Sequence, residues 1–153
     1  MRLALAQARA AGEDGEVPTG CVIVRLPGAA GGRAAVVGRA HNQVERLRDP
    51  TAHAEMIAIT QAAEAAGDWR LTGAVLYVTK EPCAMCAGAI VLARIPVVVF
   101  GAADPQRGGA VSVFSILNHP RLNHRCEVIA GVLEEECRAL LQEFFRQRRS
   151  EKE

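Results

Sequence analysis

The sequence predicts an α/β domain built in layers, on three observations. Short apolar runs rich in Val and Ile alternate with longer runs of strong helix formers. Glycine or proline stands at most of the boundaries between them. At 153 residues, half hydrophobic and 23% charged, the chain suits one domain with a real core, residues 1–153.

Residues 2–12 carry a helical pattern in Leu3, Leu5, Ala6 and Ala10 that Gly12 can end. Residues 21–25 and 34–40 read as two strands, joined by the Pro/Gly-rich connection LPGAAGGR. Asp49-Pro50-Thr51 reads as a helix start, with Asp49 as cap and Pro50 in the first turn. The helix formers of AHAEMIAITQAAEAA follow and stop at Gly67. A buried strand is expected over 74–79, a helix opened by Pro82, and a strand over 96–101. Residues 111–117 are expected as a short helix and 127–130 as a fifth strand. The last helix, 132–149, gathers Leu133, Cys137, Leu140, Leu141 and Phe144 on one face.

Composition excludes several classes. No apolar run approaches the roughly 20 residues that span a bilayer. The start, MRLALAQARAAGEDGE, is interrupted by Gln7 and Arg9 and is no signal peptide, so a cytoplasmic location without a membrane is expected. Five cysteines, an odd number, argue against a disulfide framework. Cys21, Cys126 and Cys137 lie in apolar surroundings and read as buried thiols. A net charge of +1 announces no nucleic-acid partner, although the arginines of FFRQRR cluster at the end of the last helix. Taken alone, that cluster reads as a solvated helix end complementing the dipole.

The chemistry sits in His53-Ala54-Glu55 and Pro82-Cys83-Ala84-Met85-Cys86. Two cysteines three apart at a helix start present both sulfurs on one side, where the helix dipole favours thiolate. If His53 meets them, one imidazole and two thiolates hold a zinc ion. Its fourth position stays open for water, as in a catalytic site. Glu55 then stands beside that water as a proton shuttle. A lone C-x-x-C can also be redox-active or half of a closed zinc site, for which His41 is the only local fourth ligand. The combination of H-x-E, about thirty residues, and P-C-x-x-C favours the catalytic reading, and it is the signature of zinc deaminases.

The resemblance runs further. EVPTG, DPTAHAE, TKEPCAMCAGA, the RI..VVFGA.D segment, HPRLNHR and GVLEEECRALLQEFFRQRR together resemble the bacterial tRNA-specific adenosine deaminases over essentially the whole chain. The downstream segments are the specific ones, because other deaminase branches share only the zinc motifs. The resemblance implies a three-layer cytidine deaminase-like fold with a central five-stranded mixed sheet flanked by helices. It also implies one zinc per subunit, a homodimer whose partner helps shape the site, and a tRNA anticodon loop as substrate. Carried over residue by residue, it places Asn42 and the backbone of Ala54 at the purine, and Asp104 and Asn123 near the flanking nucleotides. Phe145 and Arg149 match terminal-helix contacts to the loop. Without the resemblance, Asn42, Asp104 and Asn123 would read as turn or capping residues.

Some positions depart from that family. Lys80 stands where leucine is usual, Ala103 and Gln106 replace polar or basic residues, and LPGAAGGR lengthens a tight hairpin. The expected reaction is hydrolytic deamination of the wobble adenosine to inosine. The alternative is a free-base deaminase of the guanine type, which would need neither FFRQRR nor LNHR. A silent zinc-stabilised RNA-binding scaffold would have no use for Glu55.

Overall fold

The computed structural model describes residues 1–151; Lys152 and Glu153, the last two of the expected domain, lie outside the described residues. All five expected strands form: β1 (Gly20–Arg25), β2 (Ala35–His41), β3 (Ala74–Lys80), β4 (Val97–Ala102) and β5 (Glu127–Ile129). They make one mixed sheet in the order β2-β1-β3-β4-β5. β1 pairs antiparallel with β2 and β3, whereas β3, β4 and β5 run parallel. Parallel neighbours need a crossover, and α4 (Ala84–Leu92) supplies the one between β3 and β4.

Helices cover both faces. α1 (Arg2–Glu13) and α5 (Glu134–Ser150) pack on one, with Leu5, Ala102 and Cys137 buried between them. α3 (Ala54–Ala66) and α4 cover the main core of Cys21, Ile23, Leu76, Val78, Ile90 and Phe100. The buried stripe Ala54, Ala58, Ala62 recurs every four residues, so one flat face of α3 approaches the sheet closely. A Cβ at Gly38 of β2 would lie 2.4 Å from the Ala58 carbonyl oxygen. Gly101 makes the same concession on the other face, 2.4 Å from the Cys137 sulfur. Cys21, Cys126 and Cys137 are free and buried.

Three expectations about helices are corrected. α3 does not start at Pro50. Both the amide and the hydroxyl of Thr51 donate to Asp49 Oδ1, at 2.8 and 2.7 Å, which ties residues 49–51 into a turn. The helix begins at Ala54, with His53 extended in the N-cap position (φ −74°, ψ 151°). A four-residue helix, α2 (Val44–Leu47), precedes it.

Pro82 likewise lies outside α4. Its carbonyl accepts the Gly109 amide at 2.7 Å, and Cys83 bridges Gly108, so the chain stays extended until Ala84.

Residues 111–117 form turns, not a helix. Their amides go elsewhere: Val113 and Phe114 both donate to the Gly108 carbonyl and Ile116 to that of Gly109. An α-helix needs each amide to reach four residues back, so these contacts preclude it.

Candidate active site

His53 caps α3 and Cys83 caps α4, and the two helix starts converge beside the end of β3. Nδ1 of His53 lies 3.6 Å from the Cys83 sulfur and 3.5 Å from that of Cys86. Bonds of about 2.0 Å to nitrogen and 2.3 Å to sulfur at the tetrahedral angle separate the donors by about 3.5 Å. The three donor atoms lie within 4.8 Å of one another and can hold a metal ion.

Electrostatics agree with that donor set. Cys83 is driven down to about 3, first by a hydrogen bond from Cys86 and, against burial, by the His53 ring and the Cys86 amide. Cys86 is pushed upward by its contact with Cys83 and by burial, so the pair shares one proton. The His53 ring is raised by its contact with Cys83, which outweighs burial. A thiolate facing a proton-holding imidazole and thiol is a place where a cation can displace protons.

Glu55 follows His53 by two residues, in the first turn of α3, and is only 3% exposed. Burial raises its carboxyl above the usual 4.5, opposed by its own backbone amide and by His53. It supplies none of the three donors.

His53, Glu55 and Cys83 open into a cavity of about 640 Å³, lined also by Asn42, Lys80, Asp104, Arg107, Phe145 and Arg148. Asn42 is buried, and its Nδ2 donates to Glu16 Oε2 at 3.2 Å. Ala54 is fully buried at the first position of α3. Asp104 is buried at the cavity wall, its Oδ2 2.7 Å from Lys80 Nζ. Phe145 stands 45% exposed at the rim, edge-on to the half-buried Phe144. Arg148 covers the Phe144 ring and donates to the Gly15 carbonyl at 2.8 Å.

Four expected site residues lie outside the lining: Ala54 and Cys86 are fully buried, and Asn123 and Arg149 are exposed elsewhere. Asn123 is exposed and accepts a 2.9 Å hydrogen bond from Arg94, just past α4. Arg149 is exposed on α5, where Arg148 occupies the cavity side instead.

Two supporting carboxylates have no role that the sequence alone assigns. Glu16, 1% exposed, accepts from Asn42 and from the amides of Glu45 and Arg46 (3.2 and 2.8 Å), tying α2 to the cavity floor. Glu81, 2% exposed, accepts from the amides of Asp104, Val111 and Ser112 and from the Ser112 hydroxyl, at 2.5–2.9 Å. Burial raises its carboxyl, but these hydrogen bonds, led by Ser112, hold it below 4.5. Glu81 thereby fastens the loop after β4 around the Cys83 turn. The only signal for either residue is its place in EVPTG and KEPC, beside apolar runs.

Comparison with known proteins agrees. A family model described as MafB19-like deaminase matches residues 1–149. The chain is 48% identical over 152 residues to the tRNA-specific adenosine deaminase of Bacillus subtilis (strain 168), covering 99% of this chain and 90% of that one. It is 47% identical over 150 residues to the Aquifex aeolicus (strain VF5) protein of the same name, covering 98% and 94%. A solved structure from work on A-to-I editing by tRNA:A34 deaminases at the wobble position is 45% identical. It superposes with a TM-score of 0.83 over 92% of this chain and 97% of that one. A guanine deaminase from Bacillus subtilis is more distant, at 29% identity and a TM-score of 0.59, over 97% and 90%. With a deaminase model spanning nearly all of it and relatives this similar along its whole length, the chain belongs to the bacterial tRNA-specific adenosine deaminase family.

Proposed function

We propose that this protein hydrolytically deaminates the wobble adenosine of a tRNA anticodon to inosine, as a single cytoplasmic catalytic domain over 1–153. The observation that carries the reading is buried Glu55 beside the His53, Cys83 and Cys86 donors, at the foot of a cavity rimmed by Phe145 and Arg148. A free base needs no aromatic and cationic rim, whereas an anticodon loop offers unstacked bases and phosphates to one. The chain's greater likeness to the tRNA deaminases than to guanine deaminase supports the same choice.

His53, Cys83 and Cys86 would hold one zinc ion per subunit. Zinc, when bound, acidifies water so that hydroxide is present near neutral pH. Glu55 takes the proton of the water that adds to C6 of the extruded base. It delivers that proton to N1, where inosine keeps it, then takes the proton of the hydroxyl added at C6 and gives it to the departing amino group, so adenosine and water become inosine and ammonia. Asn42, pinned by Glu16, and the backbone of Ala54 would orient the purine. Phe145 would stack at the rim, and Asp104 stands at the wall toward the flanking nucleotides. Asn123 and Arg149, outside the cavity, would reach RNA only where it extends beyond the mouth.

The protein would act as a homodimer. Trp69 and Leu92 stand exposed along a groove of about 930 Å³ between α3 and α4, and Val111 and Phe114 are exposed in the turns after β4. A second copy would cover apolar surface that a lone chain leaves in water. The deciding experiment incubates purified protein with an anticodon stem-loop carrying a wobble adenosine and looks for inosine. Release of ammonia from free guanine, with none from the stem-loop, would transfer the assignment to the alternative enzyme.

A further inference from the structure

Lys80 is a cation beside the donor set that the proposed chemistry does not use. It is the last residue of β3, and its side chain emerges into the cavity shared with His53, Glu55 and Cys83. Its ammonium lies 2.7 Å from Asp104 Oδ2, and the side chain remains 29% exposed.

Asp104 is already committed. Its Oδ1 accepts the amides of Gln106 and Arg107, both at 3.1 Å, and its Oδ2 faces Lys80. A carboxylate so occupied, and neutralised by a cation, is a poor acceptor for an incoming nucleotide. The ammonium is different. It has three N–H donors, Asp104 engages one side of it, and the others are left for the cavity. Arg107 and Arg148 line the same space; of its carboxylates Glu16, Glu81 and Asp104 are taken up by hydrogen bonds and Glu55 is buried, so the charges left facing an incoming anion are these three cations and Glu45.

We propose that Lys80 is a substrate-reading residue, contacting a backbone phosphate of the single strand next to the extruded base, with Asp104 as the carboxylate that positions it. The inference rests on the RNA reading above. Asp104 then acts on the flanking nucleotides through Lys80 and not by direct contact. An anionic partner follows from the sign of the group left facing the cavity.

The test measures binding of a labelled anticodon stem-loop across a salt series, for the wild type, Lys80→Leu and Lys80→Arg. Zinc content serves as the control for folding. Lys80→Leu is expected to weaken binding roughly ten-fold at low salt and to flatten the plot of log affinity against log salt by about 0.7 units, the share of one single-strand phosphate. In turnover the loss should appear in KM. Lys80→Arg should keep the slope. A set of stem-loops, each with one neutral methylphosphonate, locates the contact: one position should weaken the wild type as Lys80→Leu does and cost that variant nothing more. If Lys80→Leu folds poorly, Lys80→Gln takes its place in both arms, since it also removes the charge and keeps a polar side chain. Weaker binding of Lys80→Leu with an unchanged slope would make Lys80 only a lock on the Asp104 loop and overturn the proposal. So would unchanged affinity. If the wild type neither binds nor deaminates the stem-loop, the RNA reading itself falls; normal wild-type turnover with an indifferent Lys80 removes this inference alone.

Discussion

Asn42 donates its side-chain amide to Glu16 across 3.2 Å, and both residues are buried at the floor of the cavity. The same carboxylate receives the amides of Glu45 and Arg46 at the start of α2. One side chain thus sets the orientation of the proposed purine ligand and closes a short helix with few other supports.

Removal of that carboxylate should therefore be costly in two ways. Glu16→Ala strands three buried or half-buried donors, and is expected to lower stability by about 2–4 kcal/mol in urea titrations. Asn42 would lose its orientation, so KM for the stem-loop should rise in whatever fraction stays folded. A variant as stable as the wild type would show that water replaces the carboxylate without loss.

Metal content separates holding from chemistry. Purified protein is expected to carry about one zinc per chain, lost in Cys83→Ala and in Cys86→Ala, because two remaining donors make a weak site. Metal analysis by mass spectrometry checks this directly. Full activity in a preparation free of metal would sink the assignment.

Glu55→Ala should do the reverse. Glu55 is not among the three donors, so zinc and fold should survive while turnover of the stem-loop drops at least about 10²-fold. Single-turnover assays with the metal content of the same sample decide it. Substantial residual deamination would require another proton carrier in the cavity.

Asp104 gives a pH signature. Burial raises its carboxyl, but the Lys80 ammonium and the amides of Gln106 and Arg107 outweigh that and hold it below 3.8. Because the folded value is the lower one, its stabilisation is complete above about pH 3.8 and is lost as pH falls through the folded value. Asp104→Asn should cost about 1–2 kcal/mol at neutral pH, with the gap to the wild type closing in strongly acid solution. Urea melts at several pH values follow the gap; a difference constant with pH would assign the loss to hydrogen bonds that the amide fails to make and not to the carboxylate charge.

The end of α5 is expected to matter for RNA and not for the metal. Replacing Phe145 with Ala, or Arg146, Arg148 and Arg149 together, should weaken stem-loop binding at unchanged zinc content. Every phosphate that these arginines no longer neutralise should flatten the salt dependence by roughly 0.7–0.9 units. Among the arginines, Arg148 should weigh most, since it lines the cavity and lies over Phe144. An unaltered salt slope in the triple variant would make this a solvated helix end.

By itself the sequence determined what rests on short covalent spacing. Cys83 and Cys86, three apart, share a side at a helix start; Glu55 stands two residues from His53; Gly67, with φ +63°, ends α3 where a left-handed residue is needed. The alternation of strands and helices was legible for the same reason, since burial of one face imposes its period on neighbouring residues. Tertiary structure decided everything that depends on partners thirty residues away. His53 meets the cysteines only because two helix starts converge beside β3. Residues 111–117 carry apolar residues enough for a helix, but their amides are claimed by Glu81 and by the carbonyls of Gly108 and Gly109. Asn123 is drawn to Arg94 and away from the cavity, while Arg148 and not Arg149 turns toward it. Glu16 and Glu81 are charged residues that any composition rule sends to the surface. They are buried because distant backbone amides satisfy every oxygen, and no local pattern records where those amides will arrive.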